Sequence, residues 1–246
     1  MTDVVKSFEN LRAVDKVSLT VKRGSLTGLI GPNGSGKSTL FNIVSGIERA
    51  DSGRVFFSGE RIDGLPPHRV FRRGLVKSSQ DPKLFLGMTV LDNVMIPPKN
   101  QLGEKPYNAP IRSIWLSQEI ELAKKAGRLL NGLAMRDLFK QSASEISGGQ
   151  MKLLEVGRTL MGEPKMLLLD EPTAGVAPIL AQEIFEQMLR MREELDITLF
   201  IIEHRLEVLF EYADYIYVMH RGRILAEGTP GEILENATVA EVYLGS

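Results

Sequence analysis

Residues 31 to 39 of the chain read Gly31-Pro32-Asn33-Gly34-Ser35-Gly36-Lys37-Ser38-Thr39. They fit the pattern G-x-x-x-x-G-K-[ST] at every fixed position, with a buried strand predicted before them, over 25–30, and a helix after, from about 37 to 45. Glycines let the backbone approach an anion closely, and a helix N-terminus attracts negative charge. We therefore predict a phosphate-binding loop in which Lys37 reaches the β- and γ-phosphates and Ser38 binds Mg²⁺. The alternative is a glycine-rich turn without chemistry.

The composition excludes several classes of protein. Of the 246 residues, 43% are hydrophobic and 25% are charged, which is typical of one large globular domain with a subdomain. The 30 basic and 31 acidic side chains nearly cancel, so we expect no nucleic-acid partner. The absence of cysteine excludes disulfides, cysteine-ligated zinc and iron–sulfur clusters. The sequence has no run of about 18 apolar residues and no secretory signal, so we expect a cytoplasmic chain that reaches a membrane only through a partner.

The order of apolar and polar stretches indicates the fold class. Short β-branched runs alternate with helical patterns, which predicts an α/β fold. The segment 81–160 is mostly helical in pattern and separates two strand-rich blocks. We therefore predict a single domain over 1–246, with a core of about 1–80 and 161–246 and an inserted helical subdomain of about 81–160.

Two acidic residues follow an apolar run at 166–169. A run of this kind is typical of a strand buried on both faces of a parallel sheet. Because the carboxyl ends of such strands line the ligand crevice, Asp170 can bind Mg²⁺ through water, and Glu171 can orient or deprotonate an attacking water. The alternative is that the pair caps the following helix.

A second glycine pair lies about twenty residues before this acidic pair. The segment reads Glu145-Ile146-Ser147-Gly148-Gly149-Gln150-Met151-Lys152. Two glycines at a helix start would make a second anion-binding end, although an ordinary phosphate-loop enzyme needs only one. The arrangement makes sense if two copies pair and each contributes this helix end to the γ-phosphate of the other.

Taken in order, these elements resemble the ATP-binding cassette (ABC) family over nearly the whole chain. The elements are the loop 31–39, Gln80, Ser147-Gly148-Gly149-Gln150, Leu167-Leu168-Leu169-Asp170-Glu171-Pro172, and Glu203-His204. The resemblance implies an ATPase that uses ATP and Mg²⁺. It also implies a P-loop NTPase core with a mostly parallel sheet, an N-terminal antiparallel β subdomain and an inserted helical subdomain.

The resemblance also implies roles for single residues. Phe8 corresponds to the aromatic residue that stacks on adenine, with Val14 packing beside the ribose, although Phe8 alone would as readily be a core residue. Gln80 corresponds to the residue that contacts Mg²⁺ and the attacking water and senses the permease. Glu171 resembles the catalytic base. His204 resembles the histidine that holds the γ-phosphate; without its context it would be a structural hydrogen-bonding group.

The resemblance also implies three groups of binding residues. Nucleotide binding is expected of Gly31, Pro32, Asn33, Gly34, Ser35, Gly36, Lys37, Ser38 and Thr39. Mg²⁺ is expected at Ser38, Gln80 and Asp170, and action on the partner's nucleotide at Ser147, Gly148, Gly149 and Gln150. The chain departs from the family at Ala177, where Asp or Asn normally couples the two sites. Because that position touches no phosphate, metal or water, we still expect hydrolysis.

Finer features resemble the ATP-binding subunits of branched-chain amino-acid importers. The features are the start at 8–18, the segment 172–176, the ending at 241–245 and a proline-rich insert near 97–118. Urea and amide importers use similar subunits, and lipopolysaccharide-export cassettes are related. The subgroup implies permease subunits, a second cassette (identical or different), an indirectly linked solute-binding protein, and a place on the cytoplasmic face of the membrane.

One surface is expected to contact the permease. It spans Gln80–Asn93 and offers Leu84, Phe85 and Leu86; the alternative for these side chains is packing within the helical subdomain. Other classes left open are a soluble ABC ATPase, in DNA maintenance or cofactor assembly, and a phosphate-loop kinase. The kinase does not explain the segment from Ser147 to Gln150.

Overall fold

The computed structural model describes residues 1–79 and 82–244, in which strands and helices alternate as the sequence predicts. The strands are, in chain order, β1 (Thr2–Phe8), β2 (Leu11–Val17), β3 (Leu26–Ile30), β4 (Ser52–Arg54), β5 (Phe56–Phe57), β6 (Glu60–Arg61), β7 (Leu75–Lys77), β8 (Met166–Asp170), β9 (Thr198–Ile202), β10 (Tyr215–His220) and β11 (Arg223–Gly228). The helices are α1 (Lys37–Val44), α2 (Pro67–Arg72), α3 (Val90–Met95), α4 (Arg112–Gly132), α5 (Gly148–Met161), α6 (Pro178–Leu195), α7 (Leu206–Tyr212), α8 (Pro230–Leu234) and α9 (Ala237–Leu244).

A six-stranded sheet positions the loops that hold the predicted site residues. Its strand order is β11-β10-β3-β9-β8-β7, and only β11 runs antiparallel to its neighbour within the described sheet. Every residue of β3, β8 and β9 is buried, which explains their continuously apolar sequences. The parallel arrangement brings the carboxyl ends of β3, β8 and β9 to one edge, directly before residues 31, 171 and 203.

An antiparallel sheet of order β2-β1-β4 and the hairpin β5–β6 are formed by the N-terminal part of the chain, on either side of β3 in sequence. Val14 and Val17 of β2 belong to the same buried cluster as Phe41 and Phe200. The rings of Phe41 and Phe200 have centroids 4.9 Å apart. The predicted α/β fold, with a mostly parallel sheet and N-terminal antiparallel strands, is confirmed.

The residues divide into two compact units. The unit with the sheets comprises Met1–Gln80, Lys165–Ala174 and Arg192–Ser246, and the helical unit comprises Asp81–Pro164 and Gly175–Met191. The division differs from the predicted one chiefly in 175–191, which groups with the helices. The reason is packing: α6 places Leu180 against Gly149 and Met191 against Gly132.

The helical unit is held by caps as well as by apolar packing. Thr89 caps α3 by accepting a hydrogen bond from the Asp92 N–H at 3.1 Å. Asn93 is fully buried, and its side-chain amide binds both the N–H and the C=O of Phe85, at 2.9 and 3.0 Å. Within the described residues, none of the helices combines the length and the apolar character needed to span a membrane.

Candidate nucleotide site

The phosphate-binding loop has a backbone that only glycine can follow at two points. Gly31 and Gly36 have φ angles of +146° and +102°. A Cβ on Gly31 would clash with the carbonyl oxygen of Met219, and one on Gly36 with that of Ala13. The loop therefore lies against two neighbouring backbones, and α1 begins directly after Gly36.

Lys37 is folded into this loop. Its ammonium group is buried and donates hydrogen bonds to the carbonyl oxygens of Gly31, at 2.8 Å, and Pro32, at 3.0 Å. Burial lowers the pKa of Lys37, whereas the nearby charges of Glu171 and Asp170 act to raise it. An incoming phosphate would give this buried cation a negatively charged partner in place of the two carbonyl oxygens.

Asp170 is the last residue of β8, and only one of its two carboxylate oxygens has a partner among the described residues. Its side chain is 3% exposed, and Oδ2 lies 3.5 Å from the Lys77 Nζ. Oδ1 is buried without a hydrogen-bond partner among the described residues. Burial raises the pKa of Asp170, and the charge of Lys77 opposes this shift. An orphaned carboxylate oxygen of this kind fits a site for Mg²⁺, which prefers oxygen ligands.

The metal site would not be complete without the nucleotide. The described residues contain no group of three or more His, Cys, Asp or Glu side chains placed to hold a metal ion. Mg²⁺ commonly combines one or two protein oxygens with water and substrate phosphates, so Asp170 and the exposed Ser38 are a fitting pair. Gln80, the third predicted ligand, lies outside the described residues.

Glu171 and His204 meet across adjacent strands. The Nε2 of His204 lies 2.8 Å from the Oε1 of Glu171. The register of β8 and β9 pairs Asp170 with Ile202, which places the next residues of both strands side by side. Glu171 has a φ of +51°, unusual for a non-glycine residue, and its N–H donates to the carbonyl of Ile202 at 2.9 Å. A carboxylate held in this way can accept a proton from water.

The two residues expected near the base and sugar differ in exposure. Phe8 is 42% exposed, with the Lys6 ammonium 5.0 Å from its ring centroid, so it is not a core residue, and its stacking on adenine stays a prediction. Val14 is fully buried in the core, so the structure gives it a packing role, and its ribose contact stays a prediction.

The second glycine segment begins α5 in the helical unit. Ser147 and Gln150 form a capping box: Ser147 Oγ accepts from the Gln150 N–H at 3.3 Å, and Gln150 Oε1 accepts from the Ser147 N–H at 2.8 Å. The Ser147 hydroxyl keeps its proton for donation to an anion. Gly148 is exposed, and a Cβ on the buried Gly149 would collide with Leu180. The segment thus leaves Ser147 and Gly148 exposed at the start of α5.

Sequence reasoning missed several residues that support the site. Lys77 pairs with Asp170 and also donates to Asn42 Oδ1 at 2.7 Å. Glu203 was noted only as part of a motif. Tyr243 marked only a family-like ending, yet the Gly31 N–H donates a hydrogen bond to its hydroxyl oxygen. Nothing in a single sequence indicates these long-range contacts.

Comparison with known proteins gives consistent matches. The family model described as "ABC transporter" matches residues 14–174, and the one described as "Branched-chain amino acid ATP-binding cassette transporter" matches 223–246. The chain is 44% identical to a probable branched-chain amino acid transport ATP-binding protein LivG of Archaeoglobus fulgidus, over 98% of this chain and 93% of that protein. Identity to the high-affinity LivG of Escherichia coli K12 is 31%, over 97% and 94%. The crystal structure of the ADP conformation of MJ1267, an ATP-binding cassette of an ABC transporter, is 42% identical, with a TM-score of 0.87 over 100% of this chain and 97% of that one.

Proposed function

We propose that this chain, which belongs to the ABC transporter family, powers the import of branched-chain amino acids by hydrolysing ATP. The chain is an ABC ATPase that binds ATP. The contact between Glu171 and His204 beside the phosphate-binding loop is the observation that supports hydrolysis in this chain. The choice of solute is supported by the names of its relatives, which are branched-chain amino acid transport proteins.

The proposed chemistry assigns one task to each group. Lys37 leaves the carbonyls of Gly31 and Pro32 and binds the β- and γ-phosphates. Ser38 and Asp170 would hold Mg²⁺, with Gln80 as a further predicted ligand, and the ion would neutralise charge on the phosphates. His204 would donate an Nε2–H hydrogen bond to the γ-phosphate, and Glu171 would take a proton from the attacking water.

The proposed arrangement needs a second cassette. Ser147 and Gly149 of one copy would face the γ-phosphate bound by the other, so ATP would join the two and hydrolysis would release them. The partner is a second copy or a related cassette. Ala177, just before α6, would contact neither a phosphate nor the catalytic base in this scheme.

The membrane partner is proposed from an exposed apolar pair. Phe85 and Leu86 are 52% and 51% exposed, which is unusual for such large side chains. Arg158 lies 5.8 Å from the Phe85 ring and supports it from within the helical unit. We propose that the surface over Gln80–Asn93 binds permease subunits and places the chain peripherally on the cytoplasmic face of the membrane. The solute-binding protein would act through the permease.

The hydrolysis step is tested with Glu171→Gln. This variant keeps the volume of the side chain and removes its basicity, so it should bind ATP like the wild type and lose at least about 100-fold in turnover. Glu121→Gln, an exposed position on α4, is the matched control. Wild-type turnover in Glu171→Gln would remove Glu171 from the role of base.

The transport reaction is tested by purification from native membranes in mild detergent. We expect two multi-span permeases and a second cassette by mass spectrometry, and ATP-dependent uptake of leucine, isoleucine or valine by the reconstituted complex with its solute-binding protein. Uptake of urea instead would correct the solute. Recovery of soluble partners alone would refute the transport function.

A further inference from the structure

Glu203 is a buried carboxylate that takes no part in the proposed hydrolysis. It lies between β9 and His204, and it is 2% exposed. Charged carboxylates are rarely buried unless several donors satisfy them. The surroundings of Glu203 therefore show what the residue does.

The two carboxylate oxygens of Glu203 bind two different loops. Oε1 accepts hydrogen bonds from the N–H of Thr173, at 3.1 Å, and from the Thr173 hydroxyl. Oε2 accepts from the N–H groups of His204, at 2.8 Å, and Arg205, at 3.3 Å. One side chain thus joins the loop after β8 to the loop after β9.

These two loops carry the groups of the proposed reaction. Glu171 lies two residues before Thr173, and the N–H of Ala174 donates to the Glu171 carbonyl at 3.1 Å, so the segment forms a tight turn. His204 is bound directly by Glu203 through its backbone. The spacing between the Glu171 and His204 side chains therefore depends on what Glu203 holds.

We propose that Glu203 is a positioning residue that fixes the loop of Glu171 against the loop of His204. The inference rests on the proposed function, in which these two side chains act on ATP. All four contacts to Glu203 are donors, so a carboxylate fits the site and an amide does not. In Glu203→Gln the amide nitrogen must face N–H groups on one of the two loops, and that loop loses its hydrogen bonds to residue 203.

The test compares Glu203→Gln with Asp63→Asn. The control makes the same change of carboxylate to amide where Asp63 accepts the Val55 N–H at 3.0 Å, away from both loops. For Glu203→Gln we expect turnover at saturating ATP to fall about 10- to 100-fold, because small misplacements of reacting groups cost that much. Its Kd for MgADP should stay within about twofold, because the phosphate-binding loop is untouched.

A second readout does not depend on activity. The chain has 3 histidines, so ¹³C-histidine labelling gives a spectrum in which the His204 signal is assigned by substitution. Glu203→Gln should move the His204 resonance and leave those of His68 and His220 in place. Asp63→Asn should move none of them.

Two outcomes would refute the positioning role. One is an unchanged His204 resonance in a folded Glu203→Gln protein, and the other is an equal loss of turnover in Asp63→Asn. If Glu203→Gln does not fold, Thr173→Val removes only the hydroxyl donor and should shift the same resonance. Normal turnover in Glu171→Gln would instead defeat the proposed function, independently of these results.

Discussion

Tyr243 of α9 offers a direct test of how the phosphate-binding loop is held. The Gly31 N–H donates to the Tyr243 hydroxyl, while the Gly31 carbonyl accepts from Lys37 at 2.8 Å. Residues 32–35 of the loop line one cleft together with Glu241 and Val242 of the same helix. When Lys37 turns to a phosphate, the Tyr243 hydroxyl still holds Gly31.

Tyr243→Phe removes the hydroxyl and keeps the ring, so it opens no large cavity. One neutral hydrogen bond contributes about 0.5–1.5 kcal/mol, and a buried N–H left without a partner costs about 1–3 kcal/mol. Because Tyr243 is half-buried and water can partly replace it, we expect a loss of about 1–2 kcal/mol in the free energy of unfolding. If about half of this loss falls on the loop, MgADP should bind about 2- to 5-fold more weakly.

Tyr217→Phe is the matched control. The Tyr217 hydroxyl also binds backbone groups, donating to the Thr20 carbonyl at 2.9 Å and accepting from its N–H at 3.1 Å. The control should therefore lose similar stability in urea denaturation and keep the wild-type Kd in calorimetry. Burial raises the pKa of Tyr243 to about 12, so its hydroxyl stays protonated and the effect should be constant between pH 6 and 9. Equal changes of Kd in both variants, or none in Tyr243→Phe, would refute the reasoning.

Two further predictions concern the same edge of the sheet. Burial raises the pKa of Asp170, so at pH values above that pKa the ionised carboxylate lowers the free energy of unfolding, even with Lys77 nearby. In the absence of metal, Asp170→Asn should therefore raise the melting temperature at pH 7–8, and this gain should disappear below about pH 4, where the carboxyl group is protonated in both the folded and the unfolded protein. The variant should also abolish Mg²⁺-dependent nucleotide binding. A lower melting temperature for Asp170→Asn at pH 7–8 would contradict the sign. Gly36→Ala places a Cβ against the Ala13 carbonyl at a φ of +102°, so it should lose about 2–6 kcal/mol in the free energy of unfolding and all nucleotide binding. Gly24→Ala has a φ of +73° but open space around it, so it should lose about 1–2 kcal/mol and bind nucleotide normally. Similar losses in both glycine variants, measured in urea, would exclude the steric explanation.

Much of the site could be predicted because its groups lie in short contiguous segments. The loop 31–39 and the acidic end of β8 each carry their chemistry within a few residues of one strand, and a parallel sheet brings such strand ends together. The mostly helical pattern of 81–160 is likewise confirmed, and α4 (Arg112–Gly132) is its longest helix. In each case the local pattern and the fold agree.

The remaining features depend on contacts between distant residues. Thr173 and Glu203 are 30 positions apart, and nothing in either neighbourhood indicates that one binds the other. The grouping of 175–191 with the helices likewise depends on how Leu180 meets Gly149. The burial of Val14 was likewise not visible in the sequence, since an alternating strand does not show which face is covered until its partner sheet is known.

The sequence by itself determined the α/β class, because it follows from periodicity. It also predicted the phosphate-binding loop and the acidic pair Asp170 and Glu171 from residue types at fixed spacing, whereas the role of His204 is what the resemblance to the ABC family implies. Only the tertiary structure decided that Lys37 is folded onto the Gly31 carbonyl, that Asp170 keeps one oxygen open, and that Glu171 meets His204 at 2.8 Å. The physical reason is that hydrogen bonds and burial depend on distances of a few tenths of an ångström, which are set when separate segments pack together.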